Sequence, residues 1–253
     1  MLIAGFFYNS LMRITVLTVF PDQFDSFLHH PLVERAIRKE TLKLEIVDIK
    51  DYADGSFRHI DDSPFGGGVG MILKCEPVFR CFDQFRTADS HVIAFTPSGS
   101  TYDQKTARRL SQYEDLILLC GHYEGFDERI LEAVDEEISV GDYILSGGEL
   151  PAMMVIDSIV RLLDGTIRKE STADESFEHG LLEYPQYTKP RVFQGKEVPE
   201  VLLSGHAERI RRWKRKASLR KTLERRPDLL READLTDEDK ILLEELNDEQ
   251  TME

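Results

Sequence analysis

The chain has 253 residues, 41% of them hydrophobic and 31% charged, enough to bury a sizeable core in one large domain or two smaller ones. Its formal net charge of −15 argues against a partner held by overall positive charge, since affinity for phosphate comes mostly from Lys and Arg. Three cysteines, Cys75, Cys81 and Cys120, form an odd set with no C-x-x-C spacing, which argues against a disulfide framework or a thiolate zinc site and fits a reducing cytoplasm.

Taken in chain order, MLIAGFFYNSLMRITVLTVF is apolar but lacks a basic start and a small-residue cleavage site, and is broken by Asn9, Ser10 and Arg13, so no signal peptide or membrane insertion is predicted. RITVLTVF from Arg13 reads as a buried first strand. A helix near Phe24 to Glu40 follows, then the strand LKLEIVDI, a Gly-rich loop and a helix near Glu76 to Arg86. HVIAF, a helix near Tyr102 to Gln112, DLILLC, the run EEISVGDYILSGGEL and a final helix complete an alternation that predicts a mostly parallel α/β sheet. After Arg168, KESTADESFEHG has no periodic apolar face and reads as a linker, and VPEVLLSGHAERIRRWKRKASLRKTLERRPDLL reads as helices of a small second domain.

Charge is unevenly placed. From Arg209 to Arg226 ten basic residues stand against one acid, Glu224, whereas from Asp228 onward eleven acids face only Arg231 and Lys240. The basic helical stretch, with Trp213 inside it, is a credible phosphate-contacting face followed by an acidic tail that would be solvated and disordered. The alternative is that the two blocks neutralise each other.

PFGGGVG, residues 64 to 70, is neither a phosphate-binding P-loop, because no Gly-Lys-Ser/Thr follows, nor a dinucleotide fingerprint, because Met71 takes the last Gly position. DLILLC and EEISVGDYILSGGEL instead break into loops of Gly, Tyr and acidic residues, at the strand ends where α/β sheets bind ligands.

GHYEGFDERI followed by SVGDYILSGGELPAMMVIDSIVRLL resembles the bacterial tRNA (guanine-N1)-methyltransferase family of the SPOUT class. The resemblance continues upstream as DDSPFGGGVGMILKCEP and downstream as GLLEYPQYTKP and VPEVLLSGHAERIRRW, covering nearly all of Met12 to Leu230. Because it begins at Met12, residues 1–11 read as an extension. It implies an S-adenosylmethionine-binding α/β domain at 12–168, a deep trefoil knot, a linker at 169–179, a helical tRNA-binding domain at 180–230, an acidic tail at 231–253, and an obligate homodimer in the cytoplasm with no membrane or DNA partner. The Gly-rich loop would help close around tRNA.

The resemblance implies a bent S-adenosylmethionine held in three loops, at Thr96 to Gly99, Gly121 to Gly125 and Val140 to Gly148, with Thr96, Pro97, Gly121, Tyr123, Glu124, Gly125, Val140, Gly141, Asp142, Tyr143, Ile144, Leu145, Gly147 and Gly148 as the binding residues. Methyl transfer to N1 of guanine 37 would need a base for the N1 proton and a cation near O6. By resemblance Arg161 is the cation, with Asp157 four residues earlier either orienting it or forming an ordinary helical ion pair. The base falls on Glu175, where the family carries Asp, or on its neighbour Asp174. Composition alone would make both solvated linker acids. Histidine spacing predicts no structural metal, and Mg²⁺ for catalysis is implied by the resemblance only. Two rivals remain: a Rossmann-type enzyme binding its ligand at Gly66 to Gly70, and a non-catalytic RNA-binding protein relying on the basic segment.

Overall fold

The computed structural model describes residues 11–56, 58–167, 175–178 and 180–252. The chain divides into two compact units, residues 1–167 and 168–253.

The first unit is built on a five-stranded sheet. Strands β1 (Met12–Thr18), β2 (Leu42–Asp48), β5 (His91–Thr101), β6 (Asp115–Leu119) and β7 (Glu136–Ser139) lie in the order β2-β1-β6-β5-β7 and pair in parallel throughout. Two short strands, β3 (Asp61–Asp62) and β4 (Ile72–Leu73), form an antiparallel pair that flanks the Gly-rich loop. Central strand β6 is buried at every position, as expected for a parallel strand covered on both faces. The period of two sorts its side chains: Leu116 and Leu118 enter one core and Ile117 and Leu119 the other.

Helices α1 (Asp25–Leu28), α2 (Pro31–Arg38), α4 (Gln104–Leu110) and α6 (Glu149–Val160) bring Phe27, Val33, Ala36, Leu110, Val155 and Ile159 to the first core. Helix α3 (Cys75–Phe85) and the single-turn α5 (Glu128–Leu131) supply Val78, Cys81, Phe82 and Ile130 to the second. The result is a three-layer α/β/α unit. Burial pushes the thiols up, Cys75 to about 11, Cys81 to about 12 and Cys120 well above its ordinary value, so they are neutral core groups at physiological pH.

Two expectations, for the helix across 24–40 and for the strand HVIAF, are corrected. The helix expected across 24–40 is split into α1 and α2, because Pro31 cannot donate into a continuing ladder and serves instead as a first helical residue. As expected, the run EEISVGDYILSGGEL breaks from strand into loop: the strand ends at Ser139, Gly141 takes φ +144 and cannot continue the pleat, and α6 begins at Glu149. Strand β5 does not stop at HVIAF. Phe95 and Ser100 both pair with Ile138, so residues 96–99 loop out and the strand resumes to Thr101.

The second unit holds a short hairpin, β8 (Val192–Phe193) with β9 (Lys196–Glu197), and helices α7 (Ala207–Arg225), α8 (Pro227–Glu232) and α9 (Asp237–Met252). The acidic C-terminal block is thus not the disordered tail expected at 231–253. Leu242 and Leu246 of α9 are buried with Leu219 of α7 and with Leu181, and α9 lays its carboxylates along α7. Arg211 bonds Glu238, Arg212 bonds Glu245, Arg215 forks onto Asp239, Lys216 reaches Glu245 and Glu249, and Arg220 bonds Glu249. An apolar stripe with matching charges orders what composition alone marks as solvated. Of the expected extension at 1–11, residues 1–10 lie outside the described residues, as does Asp174.

Candidate active site

A cavity of about 480 Å³ opens at the carboxyl ends of β5, β6 and β7. Every cofactor-binding residue anticipated from the sequence lines it except Asp142. Three loops meet there: 96–98 extruded from β5, 121–126 after β6, and 139–148 after β7. Phe95, Phe126, Leu131, Ile138 and Pro151 give it apolar walls; Ser98, His122 and Ser146 of the three anticipated loops add polar groups, and so do Glu128 and Ser139, which the sequence had not singled out. Their signal was weak because they are scattered between the Gly clusters that draw the eye.

The glycines are there because backbone passes against backbone. A Cβ at Gly148 would sit 2.6 Å from Cys120 Cα, and one at Gly99 would sit 2.5 Å from the Glu137 and Ile138 backbone. Gly148 N–H donates to the Gly121 carbonyl at 2.9 Å, tying the third loop to the second at the point where α6 begins. The Gly-rich loop enters from outside: Glu124 N–H donates to Met71 C=O at 2.9 Å, and a Cβ at Gly70 would collide with the Glu124 side chain at 2.3 Å. Gly66 to Gly70 do not line the cavity, and Phe65 and Val69 at that loop's tip are fully or almost fully exposed.

One buried network escaped sequence reasoning. Glu149, 2% exposed at the start of α6, accepts from the Thr18 hydroxyl at 2.6 Å and lies 2.8 Å from His122 Nε2. A carboxylate suits the amino end of a helix, where unpaired N–H groups create positive potential. The contact pins the β1 end, the β6 loop and α6 together, and Phe20 packs its ring edge-on to His122 at 4.6 Å. An acid directly after Gly-Gly at the head of an apolar helix was the available clue.

The electrostatics of the cavity are one-sided. Among the described residues, its lining contains Glu124 and Glu128 but no Lys or Arg. It therefore disfavours a polyphosphate and suits a ligand with a neutral ring system and a positive charge. Tyr123, at φ +63, has its phenol pushed up first by burial and then by Asp61, so it stays protonated and acts as a wall and hydrogen-bond donor. Thr96 and Ser98 hydroxyls donate to Glu137 at 2.7 and 2.9 Å, which fixes the extruded loop.

The anticipated catalytic groups fall elsewhere. Arg161 closes α6 as its C-cap, its N–H donating to Asp157 C=O at 3.2 Å, and is not part of the cavity lining. The Asp157 carboxylate lies 3.9 Å from His30 Nδ1. Glu175 belongs to the second unit, where it borders a smaller hollow of about 220 Å³ with Tyr184, Arg211, Lys214 and Arg215.

With this geometry in hand, comparison with known proteins is decisive. The sequence model of the family described as tRNA (Guanine-1)-methyltransferase TrmD matches residues 12–232. The chain belongs to that family. Members bearing the name tRNA (guanine-N(1)-)-methyltransferase include one from Dictyoglomus turgidum, 46% identical over 240 residues, covering 94% of this chain and 98% of the relative. One from Streptococcus thermophilus is 49% identical over 239 residues, covering 94% and 99%. One from Moorella thermoacetica is 49% identical over 242 residues, covering 93% and 97%. The family is one of methyl-transferring enzymes, so the reading as a non-catalytic binding protein is set aside. Among the described residues, no helix is long and apolar enough to cross a membrane, and no group of three or more His, Cys, Asp or Glu side chains is arranged to hold a metal ion.

Proposed function

We propose that this chain transfers a methyl group from S-adenosylmethionine to N1 of guanine 37 in tRNA, next to the anticodon. The observation that carries the reading is a cavity with apolar walls, glycine-built loops and acidic but no basic side chains, in a chain that belongs to this methyltransferase family. An adenine ring can be satisfied there by loop backbone groups, and Glu124 and Glu128 favour a ligand carrying ammonium and sulfonium charge. When bound, S-adenosylmethionine supplies an electrophilic methyl group; the acceptor nitrogen attacks it in line, forming the N–C bond as the S–C bond breaks, and the sulfur leaves as the neutral thioether of S-adenosylhomocysteine.

The protein's own work is then positioning and proton removal. Guanine N1 holds a proton at neutral pH, and Glu175 or Asp174 accepts it as N1 attacks. Arg161 donates to O6, where negative charge grows as that proton leaves. By resemblance Glu175 falls at the position of the family's usual Asp, and its extra methylene lets it reach the same proton from a more retracted backbone. Tyr123 and Tyr143 pack, and the Gly-rich loop, with Phe65 and Val69 exposed at its tip, closes on tRNA. Mg²⁺ is expected from the resemblance, and no step above is routed through it.

A trefoil knot is part of the same proposal, supported by the close backbone crossings at Gly148 against Cys120 and at Gly99 against Ile138. So is a cytoplasmic homodimer in which the carboxylate of one subunit serves the donor site of the other. Leu150 and Met154, one turn apart on α6 and 54% and 48% exposed, are an apolar surface such an assembly would cover.

The test is transfer of labelled methyl to unmodified tRNA carrying guanine at position 37, with Arg161→Ala, Glu175→Gln and Asp174→Asn in parallel. Product at guanine N1 that falls by about a hundredfold or more with Arg161→Ala and with one of the two carboxylate variants is the expected result. A folded protein that binds tRNA and transfers nothing contradicts it.

A further inference from the structure

Ten cations between Arg209 and Arg226 suggest that the whole of α7 is a phosphate-binding surface. Their partners say otherwise. Arg211, Arg212, Arg215, Lys216 and Arg220 are each bonded to carboxylates of α9. The Arg215 to Asp239 pair is the firmest, a two-bond fork at 2.6 and 2.8 Å onto a carboxylate that is 1% exposed. These cations are already neutralised, and releasing them to bind phosphate would leave acids unpaired along α9.

Lys214, Lys221 and Arg225 differ. They recur at seven and eleven residues, which places them within about 40° of one another on a helix, and none has an ion-pair partner among the described residues. Lys221 Nζ donates only to the Glu183 carbonyl at 3.1 Å, and Lys214 Nζ lies 4.5 Å over the Tyr184 ring. This stripe runs along the segment Leu181 to Tyr187, which is held to α7 by Leu182 N–H donating to Thr222 and by Ser218 donating to Leu182 C=O. Tyr184, Tyr187 and Trp213 gather beside it, the last two with rings 6.4 Å apart. At about 1.5 Å per residue the stripe extends about 16 Å, enough to follow successive phosphates of one strand.

Unneutralised cations flanked by partly exposed aromatic rings are the chemistry that grips a strand whose bases are unstacked, phosphates on the cations and bases on the rings. We propose that the RNA-contacting surface of the helical unit is the Lys214, Lys221, Arg225 stripe with Tyr184 and Tyr187 beside it, that it takes an unstacked RNA loop, and that the five cations facing α9 are structural. This rests on the reading of the chain as an enzyme acting on tRNA.

The experiment is tRNA binding by the full chain across a salt series, with methyl transfer measured on the same samples. Lys221→Gln with Arg225→Gln removes two stripe cations. Arg211→Gln and Arg212→Gln with Glu238→Gln and Glu245→Gln removes two paired cations and their acids, leaving net charge unchanged and Lys216 and Arg220 still on Glu249. The stripe double should weaken binding about tenfold or more and flatten the plot of log affinity against log salt by about 2, about 1 for each phosphate that is no longer neutralised. Lys221→Arg with Arg225→Lys should restore both, which separates charge from folding. The paired quadruple should keep the wild-type slope and affinity within about threefold while its melting temperature falls. A stripe double with the wild-type slope, or a quadruple with the flattened one, overturns the proposal. Wild type that binds tRNA without methyl transfer sinks the proposed function and leaves the stripe standing; wild type that binds no tRNA sinks both.

Discussion

The cavity at the ends of β5, β6 and β7 and the helical unit are built from opposite materials. The cavity is made by backbone: glycines let three loops cross at distances no side chain would allow, and the chemistry left facing inward is sparse and acidic. The helical unit is made by charge: α7 and α9 share a small leucine core and a ladder of ion pairs. Under the proposed function, a net negative chain holds a cationic small ligand in one unit and presents to RNA, in the other, a few cations that have no ion-pair partner among the described residues. Location of charge, rather than its sum, decides what binds.

The contrast breaks most sharply at Gly148. Its Cβ would meet Cys120 Cα at 2.6 Å and Gly121 N at 3.0 Å, and neither is the end of a flexible side chain. Gly148→Val should cost about 3 kcal/mol or more, above the usual range for overpacking because backbone must move, and urea unfolding would measure it.

In the helical unit the sensitive group is an ion pair. Arg215, and then the Thr236 backbone and hydroxyl, hold the Asp239 carboxyl down from 3.8 to about 2 against the cost of burial. A depressed carboxylate contributes stability that is complete above about pH 4 and is lost as pH falls through about 2. Asp239→Asn should therefore lower stability by about 2 kcal/mol at pH 7, with the difference from wild type vanishing near pH 2. Denaturant midpoints for both proteins across pH would check this. A pH-independent difference would mean that the pair contributes packing and not charge.

How much of this was legible in the sequence follows the same division. The strands could be read because parallel strands buried on both faces are near-continuous apolar or β-branched runs, as in RITVLT and DLILL. The loops around Gly121 and Gly141 could be read because their glycines interrupt those runs. The bulge that extrudes Thr96 to Ser98 could not, since nothing in HVIAFTPSGST says that Phe95 and Ser100 oppose the same residue. Helix α9 was missed for a physical reason: its acids suggest solvation, and only the cations of α7, brought alongside by Leu219, Leu242 and Leu246, make it fold. The buried contact joins Thr18, through Glu149, to His122, both more than a hundred positions further along the chain, and its one local trace is the acid directly after Gly-Gly.

The claim at the centre is that the ligand cavity lies at the ends of β5, β6 and β7 and not at the Gly-rich loop. Titration of S-adenosylmethionine into folded Gly141→Val and Gly68→Arg variants tests it most directly. Gly141 sits at φ +144 with a Cβ position 2.6 Å from the Tyr143 ring, inside the cavity wall, whereas Gly68 faces only Pro64 at 3.5 Å. Gly141→Val should weaken donor binding by about a hundredfold while Gly68→Arg leaves it within about threefold. The reverse pattern would contradict the account and return the ligand to the Gly-rich loop.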